Sequence, residues 1–278
     1  MKMLMAKKYS TKKFFYFAAF FLLSSILVFT GLSNVSEAKV EKTKKLEIDE
    51  LFNGKKGTMV LKNLKNNNMY IYNSERSTKR FTPESTFKVP NSLIGLEASV
   101  VRDEYEVKRW DGVKREFESW NRDHSLASAM RESAIWFYQD IATDVGKLKM
   151  QEYINQMGYG NGDISGGIDR FWLDSTLKIS AQEQVGFMED LIKEELPFKE
   201  KIQKTVKRMM IQDEQDNYTL HGKTGTRLSD MGLGWYIGFI ETDQETWVFA
   251  VNLSGSGTEA KNITIKALKQ MNIIKEVE

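Results

Sequence analysis

Cysteine is absent from all 278 residues, which rules out a disulfide framework, a thiolate metal site and a lipid carried on cysteine. Histidine occurs only as His124 and His221, too few for a zinc site built on imidazoles, so no metal is expected. Only three prolines punctuate the chain, and no internal repeat is visible. A dominant charge sign is missing as well: 40 Lys and Arg against 38 Asp and Glu give a formal net charge of +2. A phosphate-binding surface needs a basic excess, so nucleic acid is not an expected partner. What the chain does have is apolar material, 41% hydrophobic and 12% aromatic. That is enough to bury the core of one large domain or two modest ones.

The N-terminus reads as a separate object. Lys2, Lys7, Lys8, Lys12 and Lys13 precede an apolar run from Phe14 to Phe29, and Ser36-Glu37-Ala38 offers small residues for a signal peptidase. The run suits the core of an export signal and is short for a spanning helix, although Gly31 and Leu32 extend it; a retained anchor is the alternative. The expected division is residues 1–38 as signal peptide and residues 39–278 as the working domain. Removing residues 1–38 takes five lysines and Glu37 away and turns the net charge from +2 to −2. The expected product is exported, secreted, periplasmic or associated with the cell wall, with no stable membrane partner once cleaved. Its oligomeric state is not legible.

Within the exported part, Lys39 to Asp49 reads as a charged, loose lead-in. Gly57–Asn63 and Met69–Asn73 are β-rich and separated by Asn66-Asn67-Asn68, a hairpin pattern. Helical spacing follows Pro83, where Phe87, Leu93, Ile94 and Leu96 share a stretch, and recurs over Ser125–Gly146, Leu148–Met157, Ser180–Glu195 and Phe198–Met210. Tyr218–Lys223, Gly234–Glu241 and Thr246–Asn252 read as strands and Glu259–Ile274 as a closing helix. Strands at both ends with helices between predict an α/β (α+β) fold: one antiparallel sheet flanked by helices, with an inserted, mostly helical region.

Ser85-Thr86-Phe87-Lys88 sets a hydroxyl and an amine three residues apart, on one helical face. A neutral lysine there can take the serine proton. The spacing alone is weak, since Ser10/Lys13, Ser36/Lys39 and Ser175/Lys178 repeat it. Ser85 differs by lying between Pro83 and Pro90 at a strand-to-helix transition, where a nucleophile can be exposed; the bland alternative is an N-cap serine. Lys223-Thr224-Gly225 falls in a predicted strand. Gly225 lets a ligand backbone approach, Lys223 lowers the cost of an anionic acyl substrate, and Thr224 suits a carboxylate. A solvated turn lysine is the bland alternative.

Pro83-Glu-Ser-Thr-Phe-Lys-Val-Pro-Asn-Ser-Leu, Ser133-Ala-Ile-Trp-Phe-Tyr-Gln, Tyr159-Gly160-Asn161, Phe171-Trp172-Leu173 and Lys223-Thr-Gly stand in the order seen in class D (oxacillinase-type) serine β-lactamases. The sequence resembles that family over essentially the whole exported part, and class A enzymes fit less well because the Ser-Asp-Asn element is absent. The resemblance implies a penicillin-recognising serine hydrolase fold, with the sheet on one side, helices on the other and the site between them. It implies that Ser85 attacks a β-lactam carbonyl to form an acyl-enzyme, and that the backbone N–H groups of Ser85 and Thr226 hold the oxyanion. It implies no cofactor other than carbon dioxide or bicarbonate, which carboxylates Lys88. An ammonium has no free pair to accept a proton, whereas burial among Phe87, Ile135, Trp172 and Leu173 depresses the amine pKa and lets carbon dioxide react. Trp172 then donates its indole N–H to the carbamate, Ser133 relays a proton to the departing nitrogen, and Lys223 assists electrostatically.

Two positions depart from the family pattern. Ile135 stands where valine is usual, one methylene larger beside the place for carbon dioxide and water. No arginine follows Arg227, so the substrate carboxylate is expected at Lys261, with Arg227 as the other candidate, and a lysine offers no bidentate fork. Tyr159-Gly160-Asn161 reads as a structural turn, His221 as strand packing in preference to a catalytic triad, and His124 as an N-terminal helix residue. The competing functions are a D-alanyl-D-alanine peptidase-like penicillin-binding protein and a penicillin sensor that stays acylated.

Overall fold

Strand-forming runs from the two ends of the chain meet in one seven-stranded sheet, in a computed structural model that describes residues 42–274. The expected export signal lies outside the described residues. Strands β1 (Lys42–Lys45), β2 (Gly57–Asn63) and β3 (Asn68–Tyr72) precede the helical region. A short ribbon of β4 (Val107–Lys108) and β5 (His124–Ser125) stands apart within it, and β6 (Ile211–Gln215), β7 (Tyr218–Thr226), β8 (Gly234–Thr242) and β9 (Thr246–Leu253) follow it. The order across the sheet is β1-β3-β2-β9-β8-β7-β6. Helices α1 (Asp49–Phe52), α2 (Ser74–Ser77), α3 (Lys88–Glu97), α4 (Leu126–Glu132), α5 (Ile135–Val145), α6 (Lys147–Met157), α7 (Ala181–Lys193), α8 (Glu200–Met209) and α9 (Gly257–Gln270) complete the described elements.

Period-two alternation explains why β9 sits near the centre. Val248 and Ala250 pack into one apolar cluster with the helical region, while Trp247, Phe249 and Val251 pack into a second with α9. Both faces of the sheet are therefore covered, in keeping with the expected sheet flanked by helices. Helix starts are set locally: Ser180 with Glu183, and Ser256 with Glu259, close reciprocal capping boxes ahead of α7 and α9.

Four expectations change. The lead-in contains β1, whose exposed Lys-Thr-Lys-Lys pairs parallel with β3, so the sheet is antiparallel except at that edge. Its backbone hydrogen bonds carry no apolar signature in the sequence. Edge strand β6 was likewise not read, because four of its five residues are polar and its pairing with β7 shifts register between Ile211 and Asp213. The single helical stretch over Ser125–Gly146 is two helices, broken at Ser133 and Ala134, and Ser133 caps the C-terminal end of α4 with φ 57°. His124 lies in β5, buried, with Nδ1 3.0 Å from Ser128 Oγ and Nε2 2.9 Å from the Ser119 carbonyl oxygen.

Candidate active site

Ser85 sits in a 3-10 turn over Glu84–Phe87 that runs directly into α3, and Lys88 opens that helix. The turn brings Lys88 Nζ to 2.8 Å from Ser85 Oγ. Lys88 is fully buried, and its Nζ lies over the Tyr138 ring, 5.4 Å from the centroid. Burial, and then the positive charge of Lys223, holds the Lys88 amine well below the ordinary lysine range, with Glu84 acting weakly the other way. The lowered proton affinity of the amine beside the hydroxyl is thus chiefly a product of desolvation.

The floor beneath this pair is aromatic. Phe87 stacks on Trp172 at 5.4 Å between centroids and meets Phe171 and Tyr159 edge-on at 5.0 and 5.7 Å. Burying a side chain of this size contributes about 2–3 kcal/mol, so the nucleophile turn is anchored by packing. The Trp172 indole N–H is buried with no hydrogen-bond acceptor among the described residues. A buried donor left unmade costs about 1–3 kcal/mol. Ile135 and Leu173 are partly buried and line a cavity of about 260 Å³ together with Glu84, Asp174, Thr226 and Arg227.

The sheet supplies the opposite wall. Lys223 on β7 is 4% exposed, and its Nζ donates to Ser133 Oγ at 3.0 Å and to the Thr224 carbonyl at 2.9 Å. Burial, helped by the positive charge of Lys261, brings the Lys223 amine down to about 7. Gly225 has no side chain for a steric reason: a Cβ there would stand 3.0 Å from the Pro83 carbonyl oxygen and 3.2 Å from the Ser85 amide nitrogen. The end of β7 therefore lies against the nucleophile turn. Thr226 Oγ1 accepts from the Gly257 N–H at 2.9 Å, which ties the start of α9 to the same place.

The two candidates for an anion partner end differently. Arg227 is engaged by Asp230 through Nε and Nη2 at 2.8 and 2.7 Å and faces Asp174 at 3.8 Å. Lys261, four residues along α9 from Gly257, donates to Gln212 Oε1 at 3.0 Å and stays within electrostatic reach of Lys223. Asn161 binds Thr176 and Lys178 backbone groups, a loop-holding role, and His221 stacks on Phe239 at 4.1 Å, away from Ser85's partners. Sequence reasoning missed Tyr138 and Glu84. Glu84 was visible only as a neighbour of Ser85; the acidic residue at a buried turn was the available signal.

A buried serine paired with a desolvated lysine, faced by a lysine-bearing strand end and a second serine, defines an acyl-transferring hydrolase of the penicillin-binding transpeptidase fold. The family model described as "Penicillin binding protein transpeptidase domain" matches residues 52–274. A probable β-lactamase of Bacillus subtilis (strain 168), YbxI, is 58% identical over 230 residues, covering 83% of this chain and 86% of that protein. Beta-lactamase OXA-48 of Klebsiella pneumoniae is 39% identical over 224 residues, covering 78% and 84%. The solved structure of class D β-lactamase BAT-2 superposes with a TM-score of 0.82 at 57% identity, covering 83% of this chain and 98% of that one. The chain belongs to the class D β-lactamases, enzymes that act on β-lactams.

Proposed function

We propose that the protein is an exported hydrolase of penicillins that works through an acyl group on Ser85, with Lys88 carboxylated by carbon dioxide. The observation that carries the reading is the Trp172 indole N–H, buried without an acceptor among the described residues on a ring that stacks against Phe87, next in the chain to the fully buried Lys88 whose amine is held well below the ordinary lysine range. Lys88 would hold carbon dioxide as a carbamate, which would supply a base for Ser85 or water and an acceptor for the Trp172 indole N–H. The remaining work falls to the chain itself. Ser85 Oγ is the nucleophile, and the backbone N–H groups of Ser85 and Thr226 stabilise the oxyanion. Ser133, held by Lys223, hands a proton to the departing lactam nitrogen. Lys223, Thr224 and Lys261 draw in the substrate carboxylate as point charge and hydroxyl, without an arginine fork. Ile135 narrows the approach to Lys88. Export rests on the basic and apolar pattern of residues 1–38.

Two measurements test this. Loading the protein with ¹³C-bicarbonate should give a carbamate resonance that disappears reversibly on acidification and is missing from Lys88→Ala. A time course of penicillin hydrolysis should be multi-turnover and faster with bicarbonate. Absence of the resonance, with turnover indifferent to bicarbonate, sinks the carbamate; a single stoichiometric burst sinks the hydrolase and favours a sensor.

A further inference from the structure

Glu84 precedes the nucleophile, is 2% exposed, and holds φ 51°, a left-handed conformation unfavourable for any residue with a Cβ. Such strain persists only where the surroundings over-determine it. Here they do so on two levels. The Glu84 backbone N–H donates to the Trp172 carbonyl at 3.0 Å. Its carboxylate Oε1 accepts from the Asp174 N–H at 3.0 Å and from Thr82 Oγ1 at 2.6 Å. One residue thus grips the 172–174 segment at both ends while it is covalently bonded to Ser85.

We propose that Glu84 is a positioning residue that clamps the segment carrying the Trp172 indole onto the Ser85–Lys88 turn. The inference rests on the proposed role of Trp172 as donor to a carboxylated Lys88. The left-handed turn points the Glu84 side chain towards the 172–174 segment, and the carboxylate is the acceptor that the Asp174 amide uses. Both donors go to the same oxygen, Oε1, so the clamp needs an acceptor at the end of a two-methylene stem; it does not need the negative charge. Glutamine reproduces that acceptor, aspartate falls one methylene short, and alanine removes it.

The test uses the full chain. In Glu84→Ala, amide hydrogen exchange over residues 172–174 should accelerate, and the bicarbonate concentration giving half-maximal turnover should rise, each about 10-fold to 100-fold. Deacylation should slow more than acylation. Glu84→Gln should stay within about 3-fold of the parent in all three, since the hydrogen bonds survive. Unchanged exchange in Glu84→Ala, or equal damage in Glu84→Gln, overturns the clamp. If the alanine variant does not fold, the parent decides: the Asp174 amide must be protected, and exchange at the rate of an open loop overturns the proposal. Should the parent ignore bicarbonate, the carbamate reading fails by itself, and the exchange and deacylation arms still judge Glu84.

Discussion

Lys223 Nζ donates to Ser133 Oγ at 3.0 Å, joining the sheet to the helical region between residues 90 apart in sequence. The two side chains meet because α4 stops at Glu132 and Ser133 turns left-handed, aiming its hydroxyl away from the helix. Ser133→Ala should therefore lower the acylation rate with penicillins by about 10²-fold to 10⁴-fold, the scale of a lost proton-transfer group. Stability should move little, since the residue is only half-buried. Pre-steady-state acylation, followed by intact mass, checks it; a rate within threefold of the parent removes Ser133 from the chemistry.

Stability should respond to pH through two groups of opposite sign. Lys223 titrates at about 7 when folded against 10.5 as a free side chain, so between those values the unfolded chain holds the extra proton. Stability from this group rises as pH climbs from about 7 towards 10.5, and its deficit is complete below 7. Glu84, pushed up to about 7 from 4.5 chiefly by burial, holds its extra proton in the folded state, so its contribution is lost as pH rises from 4.5 to 7. Urea unfolding across pH 5 to 10 should show Lys223→Met with a flatter rise above pH 7 and Glu84→Gln with a flatter fall below it. Slopes equal to the parent's in both variants contradict the assignment.

Trp172→Phe should reverse its effect with the buffer. The ring stacked on Phe87 is kept and an unpartnered buried N–H is removed, so without carbon dioxide the variant should be within about 1 kcal/mol of the parent or more stable. With bicarbonate the parent should gain stability that the variant does not, since a ligand bound only to the folded state stabilises it. Thermal unfolding in degassed and bicarbonate-saturated buffer measures both; identical shifts for the two proteins exclude the indole from the pocket's function.

Gly225→Ala places a methyl 3.0 Å from the Pro83 carbonyl and 3.2 Å from both the Ser85 amide nitrogen and Thr86 Cγ2. Two of these three contacts are backbone, so the strand end or the nucleophile turn must move. The expected cost is about 1–3 kcal/mol in stability and a fall in acylation of about 10²-fold, from displacement of the proposed oxyanion donors. Chemical denaturation and burst kinetics read the two effects separately, and an unaltered acylation rate refutes the close approach of β7 to Ser85.

Lys88→Ala should leave any acyl group formed on Ser85 uncleared, because among the described residues no other side chain is hydrogen-bonded to Ser85 Oγ to serve as base. Intact mass after brief exposure to penicillin should show the adduct persisting for hours, whereas the parent returns to its free mass. Clearance at the parent's rate assigns the base elsewhere.

The sequence by itself determined the chemical pairings that depend on short separations. Ser85 and Lys88 are three residues apart, and local turn geometry alone brings their reactive atoms together. β-rich runs made β2, β3, β7, β8 and β9 readable, and helical spacing marked α7 and α9, because these signals lie within a few neighbours of one another. Tertiary structure decided what depends on distant surroundings. The lowered proton affinity of Lys88 comes from burial and from Lys223, 135 positions away. The break at Ser133 has no glycine or proline to announce it, and β1 and β6 join the sheet by backbone pairing under polar side chains. Glu84 looks like an ordinary acid beside a motif until the 172–174 segment closes over it. Desolvation and long-range hydrogen bonds belong to the folded environment, and no local pattern of residue types encodes them.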